Sequence, residues 1–297
     1  MTVLFADVKG SMELADQLEP EEWHAILDRF FAILTDGVHR FEGTVNQYTG
    51  DGIMALFGAP IAHEDHAQRA CYAALGLRET LKAYADALRI EQGLNLSVRM
   101  GLNSGEVVVG RIGDDLRMDY TAQGHTVGLA QRMEALAEPG KALLAEGTID
   151  LVQGYFALHD LGAMRIKGVD APVRVAELEG VGRMRTRLDR SRARGLSKFV
   201  GRDEEMGRLE TALRRALDGD GQVVGVMAEG GSGKSRLCWE FLERCRSRGI
   251  TVRSSTGVPH GRAVPLEPIL QFYREIFGSA PDDTDVQARQ KIAGTIA

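Results

Sequence analysis

The longest regular pattern in the chain lies between residues 20 and 41, where Trp23, Ile26, Leu27, Phe30, Phe31, Leu34, Val38 and Phe41 recur at helical spacing. Pro20 suits the first turn of that helix and Gly43 follows its end. Upstream, Val3–Phe5 read as a buried strand, and Gly10-Ser11 opens a short amphipathic helix. Downstream, two apolar runs, Val45–Tyr48 and Ile53–Phe57, are joined by Thr49-Gly50-Asp51-Gly52, the pattern of a β-hairpin. A second helix is expected from about Glu64 to Leu88. Leu94, Leu96, Val98 and Met100 then alternate with polar residues, so one face of that strand is buried. Asn103-Ser104-Gly105-Glu106 is expected to turn it back into Val107–Gly110. A helix over roughly 126–137, a short strand at Lys141–Leu144 and closing strands at Phe156–His159, Met164–Lys167 and Val173–Leu178 follow. Helices and hairpins interleave through residue 180, which favours an α+β sandwich with ferredoxin-like elements.

Beyond residue 180 the pattern changes. Residues 181–198 carry Arg183, Arg185, Arg187, Arg190, Arg192, Arg194 and Lys198, and read as a solvated basic linker. Phe199-Val200-Gly201-Arg202-Asp203 leads into a new helix. Gln222–Met227 reads as an apolar strand ending in Ala228-Glu229-Gly230-Gly231-Ser232-Gly233-Lys234-Ser235. A strand, a glycine-rich turn and a helix in that order point to a second, α/β P-loop domain over 199–297.

Composition narrows the functional classes. The chain is 44% hydrophobic, ample for a core, and its 35 glycines against 8 prolines suggest tight turns rather than disorder. A net charge of −6 gives no reason to expect nucleic-acid binding. No apolar run approaches the ~20 residues of a membrane span, and Met1–Val8 lacks the parts of a signal peptide. Cys71, Cys238 and Cys245 make no metal or disulfide spacing, so a cytoplasmic protein is expected. The abrupt start and end suggest a piece of a longer chain.

The candidate chemistry begins with two carboxylates, each at the mouth of an apolar strand: Asp7 in Phe5-Ala6-Asp7-Val8-Lys9-Gly10-Ser11 and Asp51 in the hairpin turn. If the two strands are neighbours, the carboxylates converge beside a glycine-bearing turn and a helix start, an arrangement suited to magnesium and a polyphosphate. A second acidic group, His63-Glu64-Asp65-His66, follows Pro60 at a helix start, where acidic residues favour the macrodipole; it reads as a helix terminus rather than a metal site.

Taken together, FADVKGS, NQYTGDGIMALFG, VRMGLNSGEVVVG, DYTAQGHTVGLAQRM and IKGVDAPVRV make residues 1–180 resemble the class III adenylate and guanylate cyclase domain. The resemblance implies conversion of ATP, less readily GTP, to a 3′,5′-cyclic nucleotide and pyrophosphate, in signal transduction. It implies two Mg2+ ions per site, with Mn2+ able to substitute, held by Asp7, Asp51 and the Val8 carbonyl. It implies triphosphate binding by Lys9, Gly10 and Ser11 and by Lys167, and base recognition by Gln47 and Thr121. The site is expected to form in a homodimer, with Asp7 and Asp51 from one subunit and Gln47, Thr121, Arg132 and Lys167 on other sides of the cleft.

Two positions depart from the family pattern. Gln47 stands where a lysine is often found, and a glutamine amide with the Thr121 hydroxyl could satisfy adenine or guanine. Arg132 keeps its transition-state place, but the asparagine expected four residues earlier is Gly128, and losing one preorganised donor costs about a hundred- to a thousand-fold in rate. His125 and Gln131 are the side chains near enough in sequence to replace it. A weak cyclase is expected. The rival reading is a degenerate cyclase fold that senses nucleotide and dimerises to regulate the attached switch.

In the second domain the P-loop amides of Gly230, Gly231, Ser232 and Gly233 would bind phosphates, with Lys234 on the β- and γ-phosphates and Ser235 on magnesium. With FVGRDEE before it, the segment resembles the start of an AAA/STAND-type ATPase. No apolar strand ending in paired acids follows Ser235, so turnover is not expected of it.

Overall fold

The structure, a computed structural model, describes residues 1–112, 119–182, 187–193, 195–229, 231–255, 257, 266–280 and 283–296, with only the backbone for 109–112, 119–123, 187, 190, 193 and 267. It divides into two compact units, Met1–Met184 and Arg185–Ala297.

The first unit opens with β1 (Thr2–Val8), α1 (Ser11–Ala15), α2 (Pro20–Arg40), β2 (Thr44–Tyr48), β3 (Gly52–Phe57), α3 (His66–Gln92) and β4 (Val98–Ser104). These strands lie in the order β2-β3-β1-β4, with β1 antiparallel to both β3 and β4. That is the ferredoxin-like split βαβ arrangement expected from the interleaved pattern. It continues with β5 (Val108–Ile112), β6 (Asp119–Gln123), α4 (His125–Leu136), β7 (Ala142–Ala145), α5 (Glu146–Val152), β8 (Phe156–Met164) and β9 (Val173–Val181). Strand β7 joins β4 in parallel, and β9 and β8 extend the sheet to seven strands.

The apolar stripe of α2 behaves as its spacing dictates. Ile26, Phe30, Leu34 and Val38 are buried, with Trp23, Leu27 and Phe31 half-buried beside them. On β1 every residue is buried or half-buried because layers cover both faces. Val3 and Phe5 pack with Met54, Leu56 and Ala130, the last from α4. Leu129 and Met133 of α4, with Ala137 just past its end, pack instead on Leu143, Ile166, Val173 and Val175. Gly101 of β4 makes this close seating possible: a Cβ there would lie 2.0 Å from the Glu134 nitrogen and 2.4 Å from the Ala130 oxygen. Helix α4 therefore rests directly on the β4 backbone.

Three local expectations are corrected. Val107–Gly110 does not fold back on β4; β5 pairs with β6 in a separate two-stranded sheet, because its partner lies on the far side of the 113–118 segment. Met164–Lys167 is not a strand of its own: Met164 ends β8, a single strand bulged near Ala157 and Gly162, and a turn follows. The Leu94–Met100 alternation holds for burial, but regular pairing starts only at Val98.

The second unit contains α6 (Arg187–Ala193), α7 (Asp203–Leu217), α8 (Lys234–Ser247), α9 (Glu267–Phe277) and α10 (Asp285–Ile296). Met206, Leu209 and Leu237 form its small core, with Phe199, Val226 and Phe241 packed against it. The strand expected at Gln222–Met227 is absent: the segment has no regular secondary structure, with Val223 and Met227 exposed. A strand needs a ladder partner, and among the described residues this unit contains none.

Candidate active site

Asp7 sits one residue before the end of β1, in register with Gly52 of β3 on one side and Arg99 of β4 on the other. The Val8 amide donates to the Asp51 carbonyl at 3.2 Å, fastening the hairpin turn to the strand end. Gly52 permits this approach, since a Cβ there would lie 2.5 Å from the Ala6 carbonyl and 3.0 Å from Asp7 Oδ1. The structure thus brings Asp7 and Asp51 together. Ser11, at the start of α1, donates its hydroxyl to Asp51 Oδ2.

The electrostatics of the pair are strained. Burial, together with repulsion and hydrogen bonding from Asp51, raises the Asp7 carboxyl to about 7; Glu134 pushes the same way and Arg99 opposes them. The hydrogen bond with Asp51 exists only when one carboxyl holds a proton; ionised, Asp7 leaves its buried Oδ1 without a donor. An orphaned carboxylate oxygen beside a second carboxylate is a donor set that fits a divalent cation. No group of three or more His, Cys, Asp or Glu that could hold a metal occurs among the described residues. Two carboxylates alone suit Mg2+, which keeps waters and takes its remaining oxygens from substrate phosphates.

Two residues of this site escaped the sequence reading. Arg99 Nη2 lies 3.4 Å from Asp7 Oδ2 and 2.9 Å from Glu134 Oε1, the latter an ion pair aligned too poorly to be a hydrogen bond. Burial raises the Glu134 carboxyl, against the lowering effect of Arg99. A usable signal was present: Glu134 is a charged residue one position after buried Met133, on a helix face that also carries Ala130.

Of the triphosphate candidates, Lys9 is exposed and its amide donates to the Ser97 carbonyl at 2.8 Å. The Val8 and Lys9 amides are therefore already engaged. Gly10 and Ser11, at the start of α1, are the amides that helix geometry leaves without intrahelical partners.

Arg132, Gly128 and Lys167 gather elsewhere. They line one cavity of about 190 Å3 together with His125. The Arg132 guanidinium lies over Gly168, 3.5 Å from where a Cβ would stand. None of the residues around Asp7 lines this cavity. Gln47 is exposed on β2, opposite Met54 and beside a bulge. Thr121 is opposite Gly110 on β6; its side chain lies outside the described residues.

The tetrad at residues 63–66 belongs to no metal-holding group among the described residues; His63 and Asp65 join an ion-pair network through Glu42 and Arg69, which lie 2.8 Å apart. His63 pairs with Glu42 at 3.2 Å, Asp65 with Arg69 at 2.8 Å, and His66 Nδ1 shares a 2.7 Å hydrogen bond with the Thr2 hydroxyl.

In the second unit Gly233 caps α8 with φ 89°, and Lys234, the first helical residue, donates from Nζ to the Ala228 and Glu229 carbonyls at 2.6 and 2.7 Å. Arg202 Nη2 donates to the Ser232 carbonyl at 2.7 Å. Gly230 lies outside the described residues.

This fold has clear relatives. Residues 1–180 match the family model described as the adenylate and guanylate cyclase catalytic domain, and residues 198–297 match an AAA ATPase domain. The chain belongs to the class III nucleotide cyclase family, with an AAA ATPase domain following. It is similar to adenylate cyclase 1 of Rhizobium meliloti strain 1021, 32% identical over 189 residues, which is 62% of this chain and 28% of that protein. Among solved structures it resembles the adenylyl cyclase CyaB of P. aeruginosa, at TM-score 0.59 and 31% identity over 61% of this chain and 94% of that one. It also resembles the guanylate cyclase domain of RhGC from Catenaria anguillulae in complex with GTP, at TM-score 0.56 and 27% identity over 61% and 96% of the two chains. The matches span about a third or less of the length of the curated relatives. No helix among the described residues is long and apolar enough to cross a membrane.

Proposed function

We propose that residues 1–180 cyclise ATP to cyclic AMP and pyrophosphate in a homodimer, with Mg2+, or Mn2+ in its place, at the Asp7–Asp51 pair. The observation that carries this reading is the orphaned Asp7 Oδ1 beside Asp51 at the end of β1. Bound divalent ions supply Lewis acidity toward the attacking ribose 3′-oxygen and the departing pyrophosphate. Asp7 and Asp51 hold the ions and, by doing so, relieve their own repulsion. Arg99, paired with both Asp7 and Glu134, holds positive charge beside the aspartates. Arg132 and Lys167 meet the charge that builds on the α-phosphate and the leaving group. Adenylyl and guanylyl cyclases stand at nearly equal identity, 31% and 30%, so ATP is chosen on its greater abundance and the family's usual habit; Gln47 and Thr121 are the pair that would read the base.

The geometry of the helix that carries half of the proposed site supports the homodimer reading. Arg132 and Glu134 are two residues apart on α4, a rotation of about 200°, so one copy presents Glu134 to its own aspartates and Arg132 to another surface. In a two-fold dimer each cleft takes Asp7 and Asp51 from one protomer and Arg132 and Lys167 from its partner. The P-loop unit is read as a nucleotide-dependent switch on this cyclase, in an intracellular signalling protein.

One observation favours a second reading. Gly128 leaves the transition-state face of α4 bare, with no atom within 4 Å of a Cβ position. That suits a nucleotide-sensing dimerisation module without turnover. The deciding experiment is cyclic nucleotide production by the full chain, with ATP and GTP separately, in Mg2+ and in Mn2+, beside Asp51→Ala. Product that vanishes in the variant supports the cyclase. Nucleotide binding by a dimer that makes no product supports the sensing module.

A further inference from the structure

The bare patch left by Gly128 is not chemically empty. His125 lies three residues earlier on α4, on the same face, and lines the same cavity as Arg132 and Lys167. Gln131, the other candidate, is exposed and does not line that cavity. An asparagine at position 128 would place its amide in the space that Gly128 leaves, and the His125 imidazole borders the same cavity. Its ring N–H is a donor in either neutral tautomer. The surroundings suit an anionic partner: the Arg132 guanidinium, the Lys167 ammonium and the N-terminal end of a 12-residue helix share the site.

We infer that His125 is a catalytic residue of this chain, donating the hydrogen bond to the substrate's ribose or α-phosphate oxygen that a residue-128 side chain would otherwise supply. The inference rests on the cyclase reading above. His125 makes and breaks no covalent bond. The 3′-oxygen–phosphorus bond forms, the bond from that phosphorus to the pyrophosphate oxygen breaks, and the 3′-hydroxyl proton leaves to solvent, while the imidazole N–H stabilises the charge that moves.

The test is a double-mutant cycle between positions 125 and 128 in the full chain, with kcat and KM for ATP measured separately. Both residues are exposed, so the variants should fold, and thermal melting checks this. His125→Ala is expected to lower kcat by about ten- to a hundred-fold, somewhat below the usual loss for one donor because the site is open to water. His125→Gln, which keeps a donor, should recover most of it. In a Gly128→Asn background the same His125→Ala change should cost less than about three-fold, since the restored amide covers the patch. An equal loss in both backgrounds, or no loss in either, overturns the assignment. Failure of the cyclase reading is separable, because then no Asp51-dependent product forms from any variant. In that case binding of 3′-deoxy-ATP, which cannot cyclise, decides the matter by calorimetry. Weakening by His125→Ala that Gly128→Asn abolishes upholds His125 as a ligand to nucleotide, and unchanged affinity sinks it.

Discussion

Arg132 and Glu134 sit two residues apart on α4 and serve different places: Glu134 meets Arg99 beside Asp7, while Arg132 lies over Gly168 in a cavity shared with Lys167. With a rotation of about 200° between them, the helix directs the two side chains to different sides, and in the proposed dimer Arg132 of one copy meets Asp7 and Asp51 of the other. Complementation follows. Asp51→Ala and Arg132→Ala should each be inactive alone, yet mixing equal amounts should restore about a quarter of the wild-type rate. Half of the dimers are then mixed, and one of their two symmetric clefts is intact. Sedimentation should show that both variants still dimerise. No recovery on mixing, with exchange of subunits demonstrated, would mean that each chain builds its site alone.

The Asp7 carboxyl, raised from 3.8 to about 7 by burial and by Asp51, ties stability to pH. In the folded state Asp7 keeps a proton that the unfolded chain loses above about pH 4. Stability of the metal-free protein therefore falls as pH rises from about 4 to 7. Asp7→Asn should remove that slope and stabilise the metal-free protein at pH 8 by roughly 1–2 kcal/mol, discounted because the group keeps some solvent contact. It should also abolish Mg2+-dependent stabilisation. Melting curves at pH 5 and pH 8, with and without Mg2+, decide this. An unchanged slope in the variant would show that Asp7 is not the titrating group.

Where a pattern was local and one-faced, the sequence told nearly everything. The α2 stripe and the Leu94–Met100 alternation bury the residues their spacing picks out, and the meeting of Asp7 with Asp51 needed only that two apolar strands be neighbours. What could not be read depended on distant partners. The mate of β5 is β6, across a segment of no clear pattern, and β8 carries two register shifts that break its alternation and leave much of it exposed. Gln222–Met227 has the composition of a strand without a neighbour to pair with. Arg99 looked like an ordinary polar position of a half-buried strand. Its partnership with Glu134 exists only because Gly101 lets α4 touch β4.

That contact gives a stability prediction. At Gly101 an added methyl would stand 2.0 Å from a backbone nitrogen of α4, where neither rigid element can yield. Gly101→Ala should cost about 3 kcal/mol or more and should lower activity even in molecules that remain folded, because α4 carries both Glu134 and Arg132. Gly128→Ala is the contrasting case on the same helix, with open space at its Cβ. It should stabilise by about 0.5–1 kcal/mol through helix propensity alone. Urea unfolding of the two variants tests both signs together.

The second unit offers an optical readout. Trp239 on α8 has the Arg192 guanidinium 4.9 Å and that of Arg236 5.4 Å from its ring centre, so α6 is attached to the helix that begins at Lys234. The chain has two tryptophans, and Trp23→Phe leaves Trp239 as the single fluorophore. Phosphates bound at the P-loop must draw Lys234 from the Ala228 and Glu229 carbonyls, which shifts the first turn of α8. ATP should therefore change Trp239 emission in a saturable way, and Lys234→Ala should weaken the effect at least about tenfold by removing a charge-assisted phosphate contact. Arg192→Ala should leave ATP affinity within about twofold while altering the emission, since an exposed cation–π contact is worth only about 0.5–1 kcal/mol. ATP binding seen by calorimetry without any change in emission would show that α8 and the attached α6 do not respond to the P-loop.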